Sequence, residues 1–256
     1  MKKTIVFIAL CVASAGALSA FETTKTLRLP TQGILRLDIR AGAGSLTVTG
    51  REGLTAIEVK AEVVAPDVRD KDMEEYIRAR VELTLEKRGD AAVLVGRIHD
   101  NGRLFHFGDS ARVDLTVTVP KTMALDLDDG SGGMVVEDIS AGVRIEDGSG
   151  AIRVARVAGK VRIVDGSGEV VVERVEGTLE IDDGSGGLEV SDVTGDVTID
   201  DGSGEVLVRR IGGTVTVDDG SGGIDIEDVE KDVRLINTGS GGVDISGVKG
   251  RVIRSR

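Results

Sequence analysis

Asp129-Gly130-Ser131-Gly132 opens a tetrad that returns as Asp-Gly-Ser-Gly at Asp147, Asp165, Asp183, Asp201 and Asp219, eighteen residues apart each time, with Thr238-Gly239-Ser240-Gly241 following after nineteen. The C-terminal half of the chain is thus one short unit written seven times. A unit of about 20 residues cannot bury an apolar face by itself, so a fixed period of this length predicts a solenoid whose core forms only when units stack.

Counting slots from the first residue of each tetrad, five slots are aliphatic in almost every unit. Slot 6 holds Met134, Ile152, Val170, Leu188, Val206, Ile224 and Val243, and slot 8 is always Val or Ile. Slot 11 is Ile or Val, slot 15 Val or Leu, and slot 17 runs Ile145, Ile163, Ile181, Ile199, Val217 and Leu235 before Arg254 interrupts it. The steps of two, from slot 6 to 8 and from 15 to 17, are the period of a strand, so each coil should hold two strands with slot 11 packing from a corner. At about 4.8 Å per coil, seven coils would rise roughly 34 Å. Glycine at slots 2 and 4 predicts positive φ at one sharp bend, and glycine at slot 13 in most coils marks the second. Serine at slot 3 is small enough to turn inward and hydrogen-bond along the stack, while polar slots such as slot 7 change freely from Val135 to Arg153 to Glu189.

Eighteen residues also fit three hexapeptides of a left-handed helix, but slot 5 is then Gly, Ala or Glu where an aliphatic is needed. The expected architecture is all-β, a single-stranded, right-handed β-solenoid of about seven coils over residues 127–256, preceded by a β-rich capping region over 21–126. Arg254 in the stacking row would blunt the terminal edge.

Composition agrees with thin stacked layers. Aromatic residues make up 2% of the 256 residues against 36 glycines, and the four Phe and one Tyr all precede residue 110. Net charge is -12, and loss of Lys2 and Lys3 with the first twenty residues would take it to -14. A chain this acidic repels nucleic acid and anionic membrane surfaces; the charge serves either to solvate the exterior or to bind cations.

The opening residues read as a secretory signal peptide over 1–20: Lys2-Lys3, an apolar run from Ile5 to Ala13, then small residues up to a cleavage point after Ser19 or Ala20. The run is too short for a membrane span of about 20 residues. Cys11 is the only cysteine, and Leu10 before it argues against a lipoprotein site, so the exported chain would be held by packing without disulfides.

Between 21 and 126, period-two alternation predicts strands at Thr26–Leu29, Ile34–Ile39, Ser45–Thr49, Ala56–Val63, Arg80–Lys87, Ala91–Ile98 and Arg112–Val119, the last ended by Pro120. Met73, Tyr76 and Ile77 at helical spacing predict a short helix over Lys71–Ala79, and the Gly42-Ala43-Gly44-Ser45 turn reads as an irregular first coil.

The chemistry-bearing candidates are few. Stacking places Asp129, Asp147, Asp165, Asp183, Asp201 and Asp219 in one row with Asp128, Glu146, Asp182, Asp200 and Asp218 beside it. At a surface, like charges about 5 Å apart cost about 1 kcal/mol or less per pair. Each slot 1 Asp is expected to accept backbone N–H groups of its own bend; calcium between coils is the alternative. His99 and His106, the latter flanked by Phe105 and Phe107, have no cysteine or spaced acidic partner motif, which favours a loop tucking its rings under itself over a metal or catalytic pair. Asp-Gly-Ser-Gly is not the Asp-Ser/Thr-Gly of aspartic proteases, and no nucleophile elbow or phosphate loop occurs. No catalytic, cofactor or metal residues are assigned, and the chain is expected not to be an enzyme.

The Gly-x-Gly-Ser-x-x-Val-x-Gly stretch at Gly42–Gly50, the Val117-Thr118-Val119-Pro120 strand end and the Asp-Gly-Ser-Gly-Gly-x-x-Val units together resemble the bacterial "putative adhesin" family of unassigned function, related to auto-transporter adhesin head domains. That resemblance implies an exported β-solenoid at the cell envelope, periplasmic or at the cell surface, and carries over no catalytic residues. The expected role is a non-enzymatic adhesin-like scaffold that binds envelope or surface proteins or itself, with a glycan- or calcium-binding solenoid as the alternative.

Overall fold

A computed structural model describes residues 9–11, 22–66, 68–99 and 111–255 of the chain, which divides into two compact units, Met1–Gly132 and Gly133–Arg256.

In the second unit each coil contributes two strands, as in Gly204–Ile211 and Val215–Asp219 of the coil that starts at Asp201. First strands of successive coils pair parallel and slot on slot, Val206 with Ile224, Val208 with Ile226 and Ile211 with Val229. Second strands do the same, Val197 with Val215 and Ile199 with Val217. First strands from Met134–Ile139 to Val243–Val248 lie side by side in one sheet, and second strands from Val143–Asp147 to Val252–Arg254 in another. Two sheet faces per coil fit the predicted β-solenoid and exclude the three-sided hexapeptide arrangement.

β-Branched side chains suit this geometry because their stiff χ1 packs well on a pleated surface. Slots 6, 8, 11, 15 and 17 are buried from Met134 to Leu235, each side chain contributing on the order of 1.5 to 3 kcal/mol. In the coil from Thr238 the same slots are half-buried at Val243, Ile245 and Val248 and exposed at Val252 and Arg254. The nineteen-residue spacing is absorbed by a bulge: the ladder shifts between Val217 and Asp218, Asn237 comes opposite Asp218, and Ile236 is left 51% exposed.

The bend glycines divide their labour differently from expectation. From Gly132 to Gly222 slot 4 has positive φ, 148° at Gly186, where a Cβ would overlap the carbonyl oxygen of Gly168 in the preceding coil; in the coil from Thr238 the positive φ moves to slot 2, 51° at Gly239. In the coils before it slot 2 keeps an ordinary φ, and its requirement is room, since a Cβ on Gly184 would lie 2.6 Å from the Gly166 carbonyl oxygen.

The first unit contains β1 (Ala9–Cys11), β2 (Glu22–Pro30), β3 (Arg36–Ala41), β4 (Leu46–Arg51), β5 (Ala56–Val64), α1 (Met73–Arg80), β6 (Val81–Arg88), β7 (Ala91–Ile98), β8 (Arg112–Pro120) and β9 (Ala124–Asp129). β2, β5 and β8 form an antiparallel run extended by β4, which is parallel to β8. β3 lies between β7 and β9, parallel to both, with β6 antiparallel on β7. The helix buries Met73 and Ile77, with Tyr76 half-buried, as the spacing predicts. Gly42–Ser45 is a coil bend: Gly44 donates to the Ser131 carbonyl, the Ser131 amide to the Gly42 carbonyl, and Gly44 has positive φ like slot 4. Of the segment 1–20 expected to be a signal peptide, residues 1–8 and 12–20 lie outside the described residues; β1 pairs with Thr24–Thr26.

Candidate functional site

The longest row of identical ionisable residues among the described residues is slot 1, and strand geometry decides where it points. Alternation puts every second residue on one face, so a second strand that buries slots 15 and 17 also buries the next position but one, which is slot 1 of the following tetrad. The strand Leu179–Asp183 is representative, with Leu179, Ile181 and Asp183 all buried and the residues between them turned outward. Asp147 is 7% exposed, Asp165 3%, Asp183 2%, Asp201 1% and Asp219 0%, and in the first unit Asp129 is 3% exposed. The second unit stacks its members in register, Asp147 on Asp165, Asp165 on Asp183, Asp183 on Asp201 and Asp201 on Asp219.

The row is therefore inside the stack, which corrects the expected surface ladder. It also reverses the expected corner, because aspartate turns inward while the slot 3 serines from Ser149 to Ser203 stay half-buried and Ser221 is exposed. Serine serves through its backbone: the amides of Gly150, Gly168, Gly186 and Gly204 donate to the carbonyls of Ser167, Ser185, Ser203 and Ser221 at 2.9 to 3.0 Å. The outward companions at slot 18 are exposed at Glu146, Asp182 and Asp200 and half-buried at Asp218.

The predicted bend contacts exist but satisfy only part of the column. Oδ1 of Asp129 accepts the Gly130 amide at 2.9 Å, Oδ1 of Asp165 the Ser167 amide at 3.3 Å, and Oδ1 of Asp219 the Ser221 amide at 3.0 Å. Oδ2 of Asp165 and Asp219, and both oxygens of Asp147, Asp183 and Asp201, are buried with no hydrogen-bond donor among the described residues. The bend amides lean on Asp147 and Asp183 and oppose their shift without reaching hydrogen-bond geometry. Burial first, and the neighbouring carboxylates second, push Asp147, Asp183 and Asp201 up to about 6. Burial also raises Asp165 and Asp219. Among the described residues no group of three or more His, Cys, Asp or Glu has the disposition to hold a metal ion.

A second charged column occupies slot 10. Asp138, Arg156, Arg174, Asp192, Arg210 and Asp228 all have φ between 55° and 61°, a left-handed conformation that costs L residues roughly 1 to 2 kcal/mol each. They are the bulge that carries the chain from slot 8 round to slot 11. Opposite signs pair across coils: Arg156 Nε donates to Asp138 Oδ1 at 2.6 Å and Nη2 to Oδ2 at 3.0 Å, and Arg210 binds Asp192 the same way at 2.7 and 2.9 Å. Arg156 also pairs with Glu137, and its guanidinium holds the Asp138 carboxyl below the usual range.

Of the two candidate histidines, His99 alone lies among the described residues. His99 Nε2 lies 3.0 Å from Glu82 Oε2, which also accepts from Arg97 Nε at 2.9 Å, an exposed charge cluster; Arg97 above all keeps Glu82 ionised. His106, Phe105 and Phe107 lie outside the described residues. A shallow open groove over β2, β5 and β8 is lined by Thr26, Arg28, Glu58, Lys60, Thr116 and Thr118, and the Arg28–Glu58 pair at 3.3 Å spans it. No helix among the described residues is long and apolar enough to cross a membrane.

No family model matches the chain, and no curated protein does. Solved structures are similar to it at low identity. A "putative cell adhesion protein" from Clostridium sporogenes is 12% identical over 89% of this chain and 100% of its own, with a TM-score of 0.41. A "putative adhesin" from Bacteroides fragilis is 13% identical over 91% and 97%, with a TM-score of 0.43. A "putative lipid binding protein" from Parabacteroides distasonis is 12% identical over 91% and 97%, with a TM-score of 0.48.

Proposed function

We propose that the protein is an exported, non-enzymatic cell-envelope scaffold of adhesin-like type that engages other proteins through the outward faces of its solenoid. The observation that carries this reading is the division of the repeat: the aliphatic slots and slot 1 face inward, while outward strand slots change chemistry from coil to coil. Slot 7 passes from half-buried Val171 to exposed Glu189 to half-buried Leu207 to half-buried Asp225. Mixed apolar and charged positions on a rigid face are the substance of a protein interface, and polar rims with apolar centres give it selectivity. The acidic row, which a calcium-binding solenoid would present to solvent, is turned into the core. Glycan recognition favours aromatic platforms, and no repeat contains an aromatic residue. The charged amino terminus, apolar run and small residues up to Ala20 support export.

Cell fractionation followed by cross-linking capture from envelope extracts, run beside a glycan array, tests the proposal. Envelope or surface location with one or more specific protein partners is expected. Cytosolic location, or saturable binding to a defined sugar with no protein captured, would overturn it, and the second outcome would establish the glycan-binding alternative.

A further inference from the structure

We propose that the column Asp147, Asp165, Asp183, Asp201 and Asp219 is a proton-binding site: the folded repeats hold protons between the carboxyl groups of adjacent coils, taken from solvent in mildly acidic medium, and the solenoid tightens as it takes them up. The proposal stands on placement. Five carboxyl groups lie one per coil in direct register, none more than 7% exposed, and each has at least one oxygen that no donor reaches among the described residues. An ionised carboxylate only accepts, so a fully ionised column sets rows of acceptors against one another in an apolar interior, which is costly on both desolvation and repulsion. One proton converts an oxygen into a donor, and the acceptor it needs is the unpartnered oxygen one coil away. Two carboxyls sharing a proton is the arrangement forced on any close acidic pair that cannot ionise twice.

The surroundings leave the proton as the available counter-charge. The charges acting on the column are other carboxylates: its own members, and Asp182, Asp200 and Asp218 next in the strand to Asp183, Asp201 and Asp219. The bend supplies Gly and Ser amides, the second strand supplies slots 15 and 17, and the first strand faces the core with aliphatic slots 6 and 8. A hard divalent cation needs six or more oxygens, which one or two carboxylates per coil gap do not provide. Burial raises Asp147, Asp183 and Asp201 to about 6 from 3.8, and raises Asp165 and Asp219 in the same direction. Carboxyls raised in the folded state bind more protons folded than unfolded between those values. Their contribution to stability is complete below the unfolded value near 3.8 and is lost as pH rises through about 6.

Because the chain is acidic throughout, acid alone relieves some repulsion, so the test separates inner from outer carboxylates. Urea unfolding of the full chain is followed in EDTA from about pH 4.5 to about pH 7.5. Three forms are compared: the natural chain, the inner variant Asp165→Asn/Asp183→Asn/Asp201→Asn, and the outer variant Asp182→Asn/Asp200→Asn/Asp218→Asn. The natural midpoint should fall on the order of 1 M urea across that range, the outer variant should keep the fall, and the inner variant should lose most of it. A flat or rising midpoint in the natural chain, or an inner variant with the natural slope, would overturn the proposal. So would a midpoint at about pH 7.5 that calcium raises and EDTA lowers, which would put a cation in the column. If the inner variant does not fold, infrared spectra of the natural chain at about pH 5 decide: a protonated-carboxyl band should be present, and its absence overturns the proposal.

Discussion

Two columns of charge run along the repeats, and they are built on opposite terms. Slot 1 repeats one residue, Asp, at every coil from Asp147 to Asp219, keeps ordinary backbone and hides its carboxylates among aliphatics. Slot 10 mixes Asp and Arg, holds left-handed backbone at each coil from Asp138 to Asp228, and displays its charges to solvent. Where stacked charges are alike they cannot pair, so the inner column depends on amides and protons. Where signs alternate, as at Asp138–Arg156 and Asp192–Arg210, stacking itself supplies the partner.

Substitutions that exchange the terms of the two columns test this contrast. The largest effect is expected at the backbone beside the inner column. Gly186→Ala forces a Cβ into the Gly168 carbonyl at positive φ, and should cost more than about 3 kcal/mol or prevent folding. Urea midpoints measure this, and a cost under about 1 kcal/mol would mean the coils do not approach as closely as described.

Next comes the inner charge. Asp201→Asn removes the ionisation of a group raised to about 6 and should stabilise the chain at neutral pH by on the order of 2 kcal/mol. Its exposed neighbour substituted alike, Asp200→Asn, should stay within about 0.5 kcal/mol. Equal effects at the two sites would erase the distinction between them.

Smaller effects belong to slot 10. Arg174→Gly releases left-handed strain at a residue whose ion pair among the described residues is with the adjacent Glu173 at 3.3 Å, and should stabilise by up to about 1 kcal/mol. Arg156→Ala keeps the strain and loses the pairs to Asp138 and Glu137, an exposed cost of about 0.5 kcal/mol that should shrink at high salt. A salt-independent loss would assign Arg156 a packing role instead.

Much of this was legible before any coordinates. Aliphatic slots fixed the two strands of each coil, and alternation placed β2 to β8 and α1 to within a few residues, because burial on one face leaves a period that the chain cannot disguise. The position of slot 1 was equally legible and was missed. Slots 15 and 17 already carry the inward parity, and continuing it two residues crosses the repeat boundary onto Asp. A polar side chain masked the inference, since carboxylates rarely face a core unpaired. Slot 10 left a fainter signal, Asp and Arg mixed at one slot, and its positive φ is marked only in the last coil, where Gly247 has φ 66°, because the six charged residues before it are not the Gly or Asn that normally announce left-handed backbone. The nineteen-residue spacing foretold an irregularity, but only the ladder shows that Ile236 is the residue expelled.

The most direct measurement is a carbon-13 titration of the aspartate side-chain carboxyls in the intact chain. With slot 1 inside the stack, the resonances of Asp147, Asp183 and Asp201 should titrate near 6 and those of Asp165 and Asp219 above the usual carboxylate range, while Asp138 and Asp192 titrate below it. If the slot 1 carboxyls titrate near the ordinary aspartate value of about 3.9, the column faces water and the interior described for these coils is wrong.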